Sequence, residues 1–322
     1  MKSRRIGRDL SLTEIGFGAA QLGNLNRAIS DDDARAAVDA AWEAGIRYFD
    51  TAPHYGLGLS EKRLGAALRS RDRDAYVLST KVGRLLEPHP AGAGSLDDDG
   101  FIVEASTKRV WDFTRDGILR SVEDSLDRLG LDRIDIAYLH DPDDHWQAAS
   151  TTGISALIEL RDQGVIRAVG AGMNQAAMLT EFVRRCDVDV MMVAGRYTLL
   201  DQSAADELLP LAEERNVALV AAAVYNSGLL STDRPAQGGR FDYREADEQT
   251  LARAQQIAEL CDLHGVTLPA AAIAFPLLRP QIASVVVGMR SAAQVASTLE
   301  RYRALVPPAL WEQLHDLELL HA

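Results

Sequence analysis

Short apolar runs rich in β-branched residues alternate with longer helical patterns along the whole 322-residue chain. This alternation constrains the fold strongly, because parallel strands must be joined by long crossovers, usually helices. No Gly/Ser linker or low-complexity tract interrupts it, so we expect a single domain over residues 1–322. The predicted strands are residues 14–18, 46–50, 76–81, 134–140, 166–170, 188–193, 218–223 and 282–287.

Eight strands with helices between them favour an α/β fold of the (β/α)8 barrel type. A doubly wound sheet is the alternative, but it requires a phosphate-binding loop after its first strand. The segment from Gly16 to Gln21 lacks the third glycine of that fingerprint. Ser30 is predicted to cap a first helix, and Gly130 to end a helix over 116–129. Further helices are predicted over 154–163, 176–185, 204–215, 248–264 and 292–303, with extra C-terminal helices over 268–278 and 309–320.

Two connections are unusually long, residues 84–112 after the third predicted strand and residues 225–246 after the seventh. In a barrel, both would follow the C-terminal ends of strands, where binding loops are concentrated. Surface loops without a function are the alternative. The barrel interpretation therefore predicts that both loops lie beside the functional site.

The bulk composition excludes several classes of function. A net charge of −13 with no dense Lys/Arg run argues against nucleic acid or an anionic membrane as a partner. The two cysteines, Cys186 and Cys261, have no CxxC spacing, so we expect neither a disulfide nor a thiolate metal site. Without an apolar signal region or a run of about 18 apolar residues, we expect a cytoplasmic protein with no membrane span. Metal-dependent hydrolysis is disfavoured because His and carboxylate residues do not cluster at ligand spacing.

Four polar residues lie at, or just beyond, the ends of three consecutive predicted strands. Asp50, Lys81 and His140 end the second, third and fourth strands, and Tyr55 follows Asp50 in a loop containing Pro and Gly. A carboxylate at a strand end is costly to bury without a cation, which Lys81 would supply. The same ammonium would lower the pKa of Tyr55 from about 10, which makes Tyr55 a candidate for proton transfer. Each residue alone is explained as well by a turn, a surface position or packing, but together they indicate one site.

The stretch Phe49-Asp50-Thr51-Ala52, with Tyr55-Gly56 and residues 60–65, resembles the signature of the aldo-keto reductases. Residues 79–83 resemble the lysine strand of that family, and residues 121–135 lead into His140 as they do there. The resemblance runs nearly end to end. It implies a barrel that binds a nicotinamide cofactor without a Rossmann fold. It also implies that Tyr55 is the proton donor or acceptor, that Lys81 and Asp50 tune it, and that His140 orients the substrate oxygen.

The same resemblance implies a cofactor site. Asn174 would hold the nicotinamide carboxamide, although Met173 and Ala194 replace the serine and glutamine that are common at their positions. Tyr225 would stack on the nicotinamide ring. For residues 288–298, an ordinary strand-to-helix turn is the alternative. The other implied contacts are Gly18, Ala19, Asp50, Asn226, Ser227, Gly228, Gly288, Arg290, Ser291, Gln294 and Thr298.

The choice between NAD and NADP depends on charge, because a ribose 2′-phosphate needs cationic partners. Gln294 stands where many NADP-preferring relatives carry an arginine, and Arg290 lies nearby in the sequence. We therefore expect NAD, or dual use of NAD and NADP.

Residues 112–117, 140–144, 194–200 and 225–228 resemble the sugar 1-dehydrogenase branch of the family. This implies oxidation of the anomeric (C1) hydroxyl of an aldose, such as L-fucose or another D-threo-aldose, to the lactone. Oxidation of pyridoxal, broad NADPH-dependent aldehyde or ketone reduction, and a non-catalytic nicotinamide-binding sensor or auxiliary subunit are the alternatives. The sequence does not set the oligomeric state. Candidate substrate contacts are His54, Trp111, Arg115, Asp144, His145 and Arg196.

Overall fold

A closed barrel of eight parallel strands forms the centre of the protein, in a computed structural model that describes residues 1–7 and 9–321. Strands that follow one another in sequence are neighbours in the barrel, and the eighth pairs with the first. The predicted barrel is confirmed, and every predicted strand overlaps an observed one. The strands are β1 (Ile15–Gly18), β2 (Tyr48–Asp50), β3 (Val77–Val82), β4 (Ile136–His140), β5 (Ala168–Met173), β6 (Val190–Ala194), β7 (Ala218–Ala222) and β8 (Ile282–Gly288).

Helices surround the barrel, and their ends are set by local capping. Ser30 accepts a hydrogen bond from the Asp33 backbone in a capping box, and Gly130 ends its helix at a φ of 61°, as predicted. The predicted helix over 204–215 starts later, because residues 203–205 form a 3-10 turn. The helices are Asp31–Glu43, Leu59–Leu68, Arg115–Leu129, Trp146–Ala148, Ile154–Asp162, Ala176–Arg185, Leu208–Arg215, Glu248–Leu263, Leu268–Ala274, Ala292–Arg303 and Pro308–Asp316.

Strand alternation divides the buried side chains into two layers. Outward-facing residues such as Phe17 and Phe49 pack against the helices, whereas Tyr48 and Tyr138 belong to a second cluster inside the barrel. An antiparallel hairpin, Ser3–Ile6 with Leu10–Thr13, adds Ile6, Leu10 and Leu12 to that inner cluster. The hairpin was not predicted, because two four-residue strands give too short an alternation to recognise. It closes the N-terminal end of the barrel, so the opposite end, called the mouth below, remains for a site.

Both long connections follow strand ends at the mouth, which confirms where they were expected. The first contains an antiparallel hairpin, Arg84–Pro88 with Thr107–Trp111, that continues directly from β3. The second contains a 3-10 segment, Asn226–Ser231, and a small hairpin, Arg240–Phe241 with Arg244–Glu245. The sequence predicted the position of these loops but not the hairpins within them.

Within residues 1–7 and 9–321, no single helix combines the length and hydropathy needed to cross a bilayer. In the same described ranges, one pair of helices, Glu248–Leu263 and Leu268–Leu277, meets the length and composition criteria jointly, but it is bent by 94° at its break.

Candidate active site

A buried ion pair lies at the mouth, between the ends of β2 and β3. Lys81 Nζ donates to Asp50 Oδ2 at 2.7 Å and to the Thr51 carbonyl at 3.0 Å, and the two charged side chains are only 3% and 4% exposed. Burial by itself would lower the pKa of Lys81, but the negative charge of Asp50, with a smaller contribution from Tyr55, outweighs it and holds that pKa above its ordinary value. Lys81 therefore stays an ammonium, and its charge is available to the groups around it.

Three buried hydroxyls extend from Asp50 into the barrel. Ser79 Oγ donates to Asp50 Oδ1 at 2.7 Å, Tyr48 OH lies 3.1 Å from Ser79 Oγ, and Tyr138 OH lies 3.3 Å from Tyr48 OH. A carboxylate only accepts hydrogen bonds, and Ser79 has one proton to give, so Tyr48 must donate to Ser79 and Tyr138 to Tyr48. All three hydroxyls are thereby oriented toward Asp50, which fixes the position of its carboxylate beside Lys81.

Tyr55 is positioned by close contact between two loops. A Cβ on Gly23 would lie 2.7 Å from the Tyr55 carbonyl oxygen, and Gly56 has a φ of 63°, so glycine is needed at both positions. The arrangement places the Tyr55 ring 4.7 Å from Lys81 Nζ. Burial raises the pKa of Tyr55, and the charge of Lys81 offsets only part of that rise. The expectation that Lys81 brings this pKa below 10 is therefore wrong, because it neglected burial.

Two histidine rings lie against Tyr55. The ring centroids of His140 and His54 are 5.8 Å and 5.9 Å from that of Tyr55, and 5.5 Å from each other. Burial, helped by the positive charges of Arg84 and Lys81, holds the pKa of His140 well below its usual range. Burial and the charges of Arg84 and Arg109 lower the pKa of His54 to about 2. Both rings are therefore neutral at pH 7, and His140 can donate or accept a hydrogen bond without carrying charge.

These buried neutral histidines predict acid sensitivity. In the unfolded chain, a histidine gains a proton as pH falls through about 6.5, whereas His54 in the folded protein stays neutral down to about pH 2. The free energy of unfolding should therefore fall with pH below about 6.5, by about 1.4 kcal/mol per pH unit for each such histidine. In urea titrations between pH 6 and 4, His54→Asn should show a shallower slope than the wild type. His315→Asn, at an exposed position, is the matched control, and equal slopes for His54→Asn and the wild type would contradict the prediction.

Two charged residues, Arg84 and Asp141, lie beside His140 and were not predicted as site residues. The Arg84 guanidinium pairs with Asp141 and lies 4.3 Å from the Trp111 ring, and Asp141 Oδ2 is 3.5 Å from His140 Nε2. Arg84 was missed because it starts an unpredicted hairpin. Asp141 was seen only as part of the sequence flanking His140, and its backbone φ of 39° could not be anticipated for a non-glycine residue.

The candidate substrate residues separate into two groups. His54 contacts Tyr55 and His140, and the Trp111 and His145 rings are 5.1 Å apart, next to Arg84. Arg115, by contrast, forms an exposed ion pair with Glu159 between two outer helices. The structure does not point Arg115 into the mouth, because its side chain extends along the outside of the barrel to Glu159 on the neighbouring helix. Asp144 is exposed in the turn that leads to His145.

Arg196 has a structural role at the mouth. It donates to the Asn174 carbonyl at 3.0 Å, to Asp201 at 3.0 Å, and to Asp242 at 2.9 Å. Asp242 lies at the tip of the small hairpin after β7, and the next residue, Tyr243, donates its backbone N–H to Ser227 at 2.9 Å. Arg196 thus fixes the hairpin against the strand ends rather than presenting a free charge to a ligand.

The sequence profile of the "Aldo/keto reductase family" matches residues 14–318 of this chain. The chain belongs to the aldo/keto reductase family. Members of this family are oxidoreductases that use nicotinamide cofactors, and the eight-stranded barrel with Asp50, Tyr55, Lys81 and His140 at its mouth is consistent with that membership.

Individual relatives are similar over nearly their full length. The D-threo-aldose 1-dehydrogenase of a Pseudomonas species is 49% identical over 97% of this chain and 95% of its own. The pyridoxal 4-dehydrogenase of Microbacterium luteolum is 38% identical over 99% and 98%. Among solved structures, a Bacillus halodurans aldo-keto reductase in its holo form superposes with a TM-score of 0.75, at 30% identity over 100% of this chain and 97% of that chain.

The nicotinamide end of a cofactor has a suitable position at β5 to β7 of this aldo/keto reductase. Asn174 donates its side-chain amide to the Ala194 carbonyl at 3.2 Å, which orients the Asn174 side chain at the end of β5. Met173, which stands where a serine is common, points outward into the hydrophobic core, so this position needs no polar side chain. Asn226 Oδ1 is buried and finds no hydrogen-bond partner among residues 1–7 and 9–321, and both Asn226 and Ser227 have left-handed backbones. An unpaired buried acceptor in a strained turn fits a ligand-binding role.

The phosphate and adenosine end has a second suitable position after β8. Ser291 caps the helix Ala292–Arg303, whose N-terminus favours anions. Gln294 Oε1 accepts from the Arg290 backbone at 2.8 Å, and Arg290 Nε donates to Gln21 at 3.1 Å. Burial and the charge of Arg27 lower the pKa of Arg290, so two cations lie near one another there. These residues fit an anionic group.

The remaining residues that were predicted to contact the cofactor are buried or held by contacts within the protein. Thr298 is only 3% exposed and Ala19 is fully buried, so neither side chain lies on an open surface. Gly18 and Gly288 pair with each other at the ends of β1 and β8. Tyr225 accepts a hydrogen bond from Arg301 at 3.2 Å, which fixes its ring at the end of β7, beside Gly228 in the following turn.

Three consecutive aspartates, Asp97, Asp98 and Asp99, lie close enough together to hold a cation. Arg109 already pairs with Asp97 at 2.6 Å and with Asp99 at 2.9 Å. Arg109 also donates to the His54 carbonyl at 3.0 Å, so the cluster anchors the hairpin after β3 to the Tyr55 loop.

Proposed function

We propose that this protein, acting as one barrel domain, oxidises the anomeric hydroxyl of an aldose to the corresponding lactone. Two lines of argument support the proposal. One is the 49% identity to a D-threo-aldose 1-dehydrogenase over nearly the whole chain. The other is the buried group at the mouth of the barrel, Asp50, Tyr55, Lys81 and His140. This group is the observation that supports the proposed proton transfer.

In this proposal, Tyr55 takes the proton of the C1 hydroxyl, and the Lys81 ammonium stabilises the phenolate before that transfer. Asp50 and its hydroxyl chain keep Lys81 charged and fixed in position. Neutral His140 hydrogen-bonds the substrate oxygen and so orients the reacting carbon. A nicotinamide, when bound, supplies the acceptor for the hydride that leaves C1.

Cofactor contacts are proposed for Asn174, Tyr225, Asn226 and Ser227 at the nicotinamide end, and for residues 288–294 at the adenosine end. We propose NAD, or dual use of NAD and NADP. Gln294 carries no charge for a 2′-phosphate, but Arg290 and Arg27 together provide positive charge nearby.

Pyridoxal oxidation is the second candidate. A relative named pyridoxal 4-dehydrogenase is 38% identical over 99% of the chain. The Trp111, Phe113 and His145 rings lie 5.1–5.9 Å apart beside Arg84, and such an aromatic surface suits a flat heteroaromatic substrate.

A substrate panel tests these proposals. L-fucose, other aldoses and pyridoxal are each supplied with NAD⁺ and with NADP⁺, and reduction of the nicotinamide is followed by its absorbance. We expect the highest kcat/KM for a D-threo-aldose, with NAD⁺ used at least as well as NADP⁺. A higher kcat/KM for pyridoxal favours the second candidate, and activity confined to simple aldehydes with NADPH would contradict both.

A further inference from the structure

One carboxylate at the mouth has no part in the proposed proton transfer. Asp141 follows His140 directly, its side chain is 31% exposed, and its Oδ2 lies 3.5 Å from His140 Nε2. Its carboxylate also raises the pKa of both Tyr55 and Tyr243, so it lies within electrostatic reach of the proton-transfer group and of the hairpin over the mouth. Asp141 is therefore beside the position where His140 would hold the reacting oxygen.

The backbone holds Asp141 in this position against its own preference. Its φ of 39° is in the left-handed region, which a residue with a Cβ adopts only at a cost. The Asp141 N–H donates to the Gly172 carbonyl at 3.0 Å, which ties this strained residue to the end of β5. Strain of this kind is concentrated at functional positions.

Arg84 fixes the side chain of Asp141 from the other direction. Its guanidinium pairs with Asp141 and stacks on Trp111, and its own side chain is largely buried. A carboxylate has about four acceptor sites, of which a single arginine contact uses a minority. The remaining sites of Asp141 are available to ligand donors at the mouth.

We propose that Asp141, held by Arg84, determines specificity by accepting a hydrogen bond from the substrate hydroxyl adjacent to the reacting carbon. This rests on the proposed aldose oxidation, in which His140 holds the C1 oxygen, so that the neighbouring C2 hydroxyl is the donor nearest to Asp141. The ligand class is a neutral cyclic polyol. An anionic group in place of the C2 hydroxyl is disfavoured, since it would meet the negative charge of Asp141.

Deoxygenation of the sugar tests the contact in the wild-type protein, without any substitution. The kcat/KM for L-fucose should exceed that for its 2-deoxy analogue by about 10- to 100-fold, the usual value of a hydrogen bond to a charged group. Equal kcat/KM for the two sugars in the wild type would overturn the assignment.

Asp141→Asn then shows whether this preference comes from Asp141. We expect the variant to lose more activity toward L-fucose than toward the 2-deoxy sugar, so that the preference falls several-fold, since the amide oxygen of asparagine still accepts a hydrogen bond but a weaker, uncharged one. A merely structural role would lower both activities by the same factor and leave the preference intact, which would overturn the proposal. Asp143→Asn removes a carboxylate from the same loop and should keep the wild-type preference. If the wild type oxidises no aldose at all, the proposed function fails and this assignment with it. If the wild type oxidises aldoses without preferring L-fucose to its 2-deoxy analogue, or if Asp141→Asn keeps the wild-type preference, the assignment of Asp141 alone is overturned.

Discussion

Tyr55→Phe is expected to reduce turnover of the best aldose by about a thousandfold or more, since it removes the only proton acceptor of the proposed reaction. The substitution deletes one oxygen and leaves the ring packed against His54, His140 and Phe101. Binding of NADH or NADPH, measured by quenching of tryptophan fluorescence, should persist, because the proposed cofactor contacts lie on β5 to β8. The expected pattern is thus a large loss of kcat with cofactor affinity retained.

The pH dependence sharpens this expectation. Because burial raises the pKa of Tyr55, its phenolate is the minor form at neutral pH, and wild-type oxidation should speed up as pH rises toward that pKa. Tyr302→Phe is the matched control, since Tyr302 is hydrogen-bonded to Glu14 at 2.6 Å at the opposite end of the barrel. Turnover of Tyr55→Phe close to that of Tyr302→Phe would rule out Tyr55 as the proton acceptor.

Lys81→Met is expected to cost about 3–5 kcal/mol of the free energy of unfolding, because it leaves the Asp50 carboxylate buried and without its cation. The hydroxyl of Ser79 would remain bonded to that carboxylate, but it carries no positive charge. The pKa of Lys81 is raised in the folded protein, so the stabilisation is fully present below about pH 10.4, falls as pH rises above that value and is lost once pH has passed the folded pKa. A urea titration at pH 7 therefore measures the full loss of unfolding free energy in Lys81→Met. The variant should also lose turnover.

The double variant Asp50→Asn/Lys81→Met distinguishes loss of the ion pair from damage to packing. It should be more stable than Lys81→Met, because neither partner is left as an unpaired charge. Arg115→Met provides a surface comparison, since the Arg115–Glu159 pair is largely exposed and such pairs contribute little. If Lys81→Met were as stable as Arg115→Met, the buried pair would not be the stabilising element described above.

The barrel and the four polar residues could be predicted from sequence, because both depend on local periodicity and on side chains at strand ends. Asp50, Lys81 and His140 are buried at the ends of β2, β3 and β4, the strand ends at which the sequence placed them. What could not be predicted depends on long-range packing. The pKa of Tyr55 is set by how completely the loops enclose it, and no sequence pattern reports that quantity.

Arg115 and Arg84 illustrate the same limit in opposite directions. Arg115 was a plausible sugar contact by composition, but the first turn of its helix directs it to Glu159. Arg84 was predicted only as the first residue of a long loop, yet the hairpin after β3 brings it to Asp141 and Trp111. The direction of an arginine side chain depends on which element starts at that residue, and element boundaries are the least certain part of a sequence prediction.

The hydroxyl chain behind Asp50 also limits the routes open to protons. It ends at Tyr138, which is fully buried among inner-barrel residues closed off by Ile6, Leu10 and Leu12 of the N-terminal hairpin. Every hydroxyl in it is oriented toward Asp50, so the chain polarises the hydrogen bonds to that carboxylate but does not connect it to solvent. A proton collected by Tyr55 must therefore leave by the same opening through which the substrate enters. Tyr55 should then exchange its proton with water only when the substrate or product has left the mouth.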